Sequence, residues 1–120
     1  MDKPDNLAAT EFFKFNIRAG TILSVEPVPK SKKLLKLEVS FGSSGTRTIL
    51  SGLAPRRDPV AATAPGNYVM EGQRVVAVIN LEPRTMMGLE SCGMLLAAAD
   101  ESGQIHLVHP GPVPDGAEVG

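Results

Sequence analysis

Side chains able to do acid–base, nucleophilic or metal chemistry are few in this chain, and their spacing does not gather them. There is one cysteine, Cys92, and there are two histidines, His106 and His109. A Cys–His nucleophile pair needs an imidazole within hydrogen-bond reach of the thiol, and no recognised spacing links these residues. His106 and His109 are three positions apart. On a strand that sends them to opposite faces, which suits solvent-side imidazoles better than shared metal ligation. No nucleophile elbow, phosphate-binding glycine loop, metal-ligand cluster or carboxylate pair is present. Catalysis is not expected, and neither a cofactor nor a metal is implied.

Two other groups of residues suit binding. Between Pro27 and Leu37 stand four lysines, Lys30, Lys32, Lys33 and Lys36, with no acid among them. Lysines in a loop are ordinarily solvated surface. Between two strands they can also supply phosphate contacts, whose affinity comes from released counterions. The second group is the segment from Asn80 through Arg84 and Ser91 to Met94. Asn80 and Ser91 are short hydrogen-bonding side chains flanking a proline-interrupted loop, and Met94 is an adaptable apolar group beside them. Turn-fixing and core packing account for these three as readily as binding does.

The elements that must position these residues read as short strands. From Phe15 to Val25, one alternate set is Phe15, Ile17, Ala19, Thr21, Leu23 and Val25, with Ile22 as the exception. That period predicts a strand with one buried face, bent or bulged at Gly20. Thr10 before Glu11-Phe12-Phe13 predicts the cap of one helical turn. Leu35, Leu37, Val39 and Phe41 alternate with polar residues, and Gly42-Ser43-Ser44-Gly45 connects them to a returning strand over 46–51. Residues 52–72 carry Pro55, Pro59 and Pro65 and read as a long loop. A strand over 74–81 is apolar enough to be buried on both faces. Further strands are expected over 93–99 and 105–109, then an extended Pro/Gly-rich tail.

At 120 residues the chain is one domain by size, read here as a flexible N-terminal tail over 1–11 and a single domain over 12–120. Twelve glycines and ten prolines fit frequent turns rather than a helix bundle. One cysteine excludes an internal disulfide framework, and no apolar run suggests a signal peptide or a membrane span. A cytoplasmic protein without membrane attachment is expected. A net charge of −1 does not suggest a strong nucleic-acid binder, but an uneven distribution can still present one basic patch. With one tyrosine, four phenylalanines and no tryptophan, shape and phosphate contacts should outweigh base stacking. Five or six short strands, the coiled first strand and the long connection predict an all-β fold, a small Greek-key barrel.

Four ordered segments, 16–22, 33–37, 50–54 and 80–96, the last ending in Ser91-Cys92-Gly93-Met94-Leu95-Leu96, resemble the stand-alone tRNA-binding domain family. Similar domains end many bacterial methionyl-tRNA synthetases and form the CsaA-type chaperones. The resemblance implies an OB-fold with a C-terminal extension, a homodimer, and recognition of tRNA by shape. By position, Lys33, Asn80, Ser91 and Met94 match the family's binding cleft, and Arg84 a basic position in its loop. Thr85, Met86 and Met87 stand where further basic residues are common, whereas Lys30 and Lys32 stand where the family carries asparagine and an acid. The basic emphasis is therefore expected in the first loop, and Lys30, Lys32 and Lys33 join the expected tRNA-binding set.

The leading expectation is a non-catalytic tRNA-binding protein, acting alone or beside an aminoacyl-tRNA synthetase. The alternative is a CsaA-like chaperone dimer that holds unfolded or presecretory polypeptides, for which Met86, Met87 and Met94 are suitable contacts.

Overall fold

The alternation of Leu35, Leu37, Val39 and Phe41 becomes the inner wall of a barrel. The computed structural model describes residues 3, 5–31, 34–52, 71–101, 103 and 105–120. After a helical turn, α1 (Ala9–Phe12), the strands are β1 (Ile17–Pro27), β2 (Leu35–Ser40), β3 (Thr46–Ser51), β4 (Arg74–Val78), β5 (Arg84–Met86), β6 (Leu89–Ser91), β7 (Met94–Leu95), β8 (Ala97–Ala99) and β9 (Ile105–Leu107). Five form one antiparallel sheet in the order β3-β2-β1-β4-β7, while β5–β6 and β8–β9 are separate hairpins.

The sheet curls nearly shut. The amide of Cys92 donates to the Thr48 carbonyl at 2.8 Å. The amide of Leu50 donates to Ser91 Oγ at 3.0 Å. These bonds tie β3 to the corner between β6 and β7, where a sheet edge would otherwise stand open. Gly93 lets the chain pass, since a Cβ there would lie 3.1 Å from Ile49 Cδ1 and 3.2 Å from the Val78 carbonyl oxygen. The architecture is the expected OB-like barrel.

Strand β1 serves both halves of the barrel. Its first half, Ile17 to Thr21, pairs with β4, and the stretch from Thr21 to Pro27 pairs with β2. The expected bulge exists, but it falls at Leu23, where the register slips between Ile22 and Ser24. One extra residue exchanges the two faces. Ile22 is therefore buried, and Leu23, expected inside, is exposed. Gly20 answers a different need: a Cβ there would sit 2.7 Å from the Phe41 ring and 2.8 Å from the Ser40 carbonyl oxygen.

The barrel interior holds Ile22, Leu35, Leu37, Val39, Phe41, Ile49, Val75, Ala77 and Ile79. Strand β4 is buried on both faces, as its continuous apolar run implied. Val76 and Val78 face outward with Ile17, under Leu96 and Val119. The tail supplies that cover. Ala19 and Gly116–Ala117 exchange backbone hydrogen bonds at 2.8 and 2.9 Å, and the Val119 amide donates to the Ile17 carbonyl at 2.9 Å. The C-terminal extension thus takes the side of β1 that β2 has left. Asp115 anchors it, accepting from Thr21 Oγ1 at 2.7 Å and lying 3.5 Å from Arg74 Nη2. Arg74 also donates to the Val113 carbonyl at 2.6 Å.

Other expectations need correction. Phe15 lies before β1 and is half exposed, because the chain still turns there, the Phe15 amide donating to the Phe12 carbonyl. Thr10 lies inside α1, and Ala8 holds the cap position with no side-chain bond. The strand expected over 93–99 divides at Leu96 into β7 and β8, which belong to different sheets. The loop between Asn80 and Ser91 is a hairpin, β5–β6, turning on Met87 (φ 52°) and Gly88 (φ 78°). Two successive left-handed residues make the tight turn that matches strand twist. The expected long loop over 52–72 lies largely outside the described residues.

Candidate functional site

The β5–β6 hairpin stands against the closing corner of the barrel and creates a groove. Leu81, Glu82, Pro83, Arg84, Ser91, Gly93 and Met94 line a hollow of about 380 Å³. A second hollow of about 300 Å³ continues from it past Arg84, Gly93 and Met94 to Leu50, Ser51, Leu95, Ala97, Ile105 and Leu107. Apolar walls with a few polar groups are what ligand sites ordinarily present.

Of the residues singled out in the sequence, the fold brings three together here. Arg84 is exposed at the start of β5, paired with Ser91 across the hairpin. Met94 is 47% exposed, a large apolar side chain left at the surface where the two hollows meet. Ser91 is buried, the only polar residue among the described ones to be so. Its hydroxyl accepts from the Leu50 amide and donates to the Gly93 carbonyl at 3.3 Å. That leaves one lone pair for a ligand, so Ser91 acts mainly by holding the groove floor.

Asn80 adjoins the groove in sequence, but its amide group is engaged elsewhere. Nδ2 donates to the Lys14 carbonyl at 2.8 Å, and Oδ1 accepts from the Asn16 amide at 2.7 Å. Asn80 clamps the entry to β1. Lys30 lies exposed on the β1–β2 loop in a left-handed conformation, φ 66°. That loop delivers the chain to Leu35, which pairs with Ser51, so it shares an end of the sheet with the second hollow. Lys32 and Lys33 lie outside the described residues.

Residues 17–118 match the family described as "Putative tRNA binding domain". The chain belongs to that family. Within it, the domain is 41% identical over 106 residues, 88% of its length, to a methionine–tRNA ligase of Porphyromonas gingivalis, of which it spans 14%. A methionine–tRNA ligase of Methanospirillum hungatei is 41% identical over 98% of the chain, again over a small part, 16%, of the longer protein. The chain therefore covers only a fraction of these relatives. Among solved structures, a MetRS-related protein from Pyrococcus horikoshii superposes with a TM-score of 0.80 at 36% identity, covering 97% of this chain and 99% of that one. The chaperone CsaA from Bacillus anthracis gives 0.76 at 25% identity, covering 96% and 99%.

Sequence reasoning missed Leu81, Pro83 and Leu107 as groove walls in this tRNA-binding domain. The Met87-Gly88 turn between two three-residue strands was the available signal, obscured by methionine at a position where asparagine, aspartate or glycine is usual. Cys92 turns away from the groove. It lies with Glu90 and Arg47 on the other side of β6, its Sγ 3.4 Å from Glu90 Oε1. Burial, then the Glu90 carboxylate, push its thiol above the ordinary value, against a smaller opposing effect of Arg47. A thiol held protonated is a poor nucleophile. His106 pairs with Asp100 at 2.9 Å, and His109 Nδ1 accepts from the Gly111 amide.

Proposed function

We propose that this chain binds tRNA without catalysing a reaction on it, seating the RNA against the β5–β6 groove with the β1–β2 loop as a flanking phosphate contact. The observation that carries the reading is the groove itself: in a member of the tRNA-binding domain family, an exposed guanidinium stands over an apolar hollow with an exposed methionine at its mouth. Arg84 would meet phosphate, and Met94 and Leu81 would meet ribose or base surface. The likeness to methionine–tRNA ligases supports work beside a synthetase, with the domain raising local tRNA concentration. The same reading puts the protein in the cytoplasm; no described helix is long and apolar enough to cross a membrane.

A filter-binding titration with total tRNA at two salt concentrations tests the reading. Arg84→Ala should weaken binding roughly tenfold, the worth of one charge-assisted hydrogen bond. The salt dependence should become shallower by about 0.7–0.9 units for each phosphate that the variant no longer neutralises. Unchanged affinity and slope would remove Arg84 from the interface. The second reading, a polypeptide-holding chaperone, draws on the apolar lining of the continued hollow and the CsaA likeness. It requires an unfolded polypeptide to bind where tRNA does not.

We also propose a homodimer. Leu7, Phe12, Phe13 and Phe15 are exposed together around α1, where Gly120 also approaches Phe12. Four large apolar side chains exposed within nine residues suit an interface. Sedimentation at micromolar concentration should give twice 12.7 kDa, and a clean single-chain species would refute it.

A further inference from the structure

The side of β6 facing away from the groove holds a second, more polar cleft of about 450 Å³. Ser44, Thr46, Arg47, Thr48, Glu90 and Cys92 line it. Arg47 is half buried, and its Nε is wholly enclosed with no hydrogen-bond partner. It forms no ion pair among the described residues. Thr48 Oγ1 is committed to Glu38 Oε1 at 2.7 Å, whereas the hydroxyls of Ser44 and Thr46, which line the cleft with Arg47, make no hydrogen bond among the described residues.

We infer that this cleft seats one ribose-phosphate unit of an RNA strand, Arg47 holding the phosphate and Glu90 the ribose 2′-hydroxyl. This assignment rests on the tRNA-binding reading and extends it to a surface outside the groove. The lining selects the ligand class. A bare anion would be repelled by Glu90 and a bare cation by Arg47, so the occupant must accept at one end and donate at the other. Phosphate matches the guanidinium fork. A ribose hydroxyl donating to a carboxylate matches Glu90, whose lone pairs are only partly used by the Cys92 thiol. Position favours a strand over a free nucleotide. Neighbours on β6 point to opposite faces, so Glu90 opens to the cleft and Ser91 to the groove. RNA crossing the hairpin base would meet both.

The chain carries its own reporter, because its single cysteine lies in the cleft. The test is maleimide labelling of Cys92 at pH 8 with and without tRNA, alongside a filter-binding titration. At tRNA ten times above the dissociation constant, wild-type labelling should slow about tenfold. Arg47→Gln should still bind tRNA through the groove, with a salt slope shallower by about 0.7–0.9 and with Cys92 labelled at nearly the free rate. Millimolar adenosine 5′-monophosphate alone should leave labelling unchanged. Bound tRNA with unprotected Cys92 would overturn the assignment while leaving the groove reading intact. Full protection in Arg47→Gln would overturn it too, and protection by the mononucleotide would make the site one for free nucleotides. Failure of wild type to bind tRNA would defeat the tRNA reading itself, and this inference with it. If Arg47→Gln does not fold, the wild-type footprint decides alone.

Discussion

Gly116→Ala should remove about 2–5 kcal/mol of stability, a large share of what a domain this size holds. Two effects add. Gly116 adopts φ 89°, a conformation that costs a residue with a Cβ about 1–2 kcal/mol. The new Cβ would also lie 2.5 Å from the Phe41 carbonyl oxygen, a backbone atom that cannot swing aside. Relieving such an overlap typically costs about 1–3 kcal/mol. The damage would spread, because Gly116 opens the stretch that pairs with β1 and carries Val119 onto Val76 and Val78. Gly111→Ala is the control. It sits in the same extension at φ 80° with nothing within 4 Å of its would-be Cβ, so only the backbone effect applies. Denaturant unfolding of both variants should separate them by the overlap alone, and equal losses would mean that the extension does not press on Phe41.

Ser91→Ala and Met94→Ala should fail in opposite ways. Removing the Ser91 hydroxyl leaves the buried Leu50 amide without an acceptor and frees the Gly93 carbonyl. The expected cost is about 1–3 kcal/mol of folding stability. Met94 is half in solvent, so its truncation should change stability little, about 0.5 kcal/mol, yet weaken tRNA binding by removing apolar surface at the groove mouth. Neither change alters charge, so the salt slope should stay near the wild-type value in both. Melting curves beside tRNA titrations decide it. A stable Ser91→Ala that no longer binds would make Ser91 a direct contact instead of a support for the groove floor.

The legible parts of the fold were those where one strand has one dry face. Strand β2 alternates buried and half-buried residues without a break, and β3 begins and ends where its hairpin chemistry predicted. Strand β4 was legible from the opposite pattern, an apolar run over 75–79 that only cover on both sides tolerates, although the strand ends at Val78 and not at 81. The bulge at Leu23 was not placed correctly, because one extra residue changes the phase without changing the composition around it. Gly20 drew attention as a bend, yet its reason is the Phe41 ring, twenty-one positions away and invisible to any local window. The division of 93–99 between two sheets has the same cause: the partners of β7 and β8 lie elsewhere in the chain.

The groove was half legible. Arg84, Ser91 and Met94 could be singled out by type and resemblance, and the fold brings them to one place. Asn80 could not be separated from them in sequence, because its engagement with Lys14 and Asn16 depends on partners sixty-four to sixty-six residues away. Arg47 carried no local signal at all. It sits in a strand as one charge among hydroxyl residues, and only the closing of the barrel encloses its Nε beside Cys92.

The two-sided cover of β4 bears on how the molecule breathes. Amide hydrogen exchange should be slowest along 75–78, where both faces are dry, one edge is paired throughout with β1 and the other joins β7 at Ala77 and Val78, so this strand opens only when the whole domain unfolds. The β5–β6 hairpin makes its own two-stranded sheet and exposes most of its residues, so its amides should exchange by local opening at far lower free energy. A ligand pressing on Arg84 can then reshape one wall of the groove while the barrel that carries it stays shut.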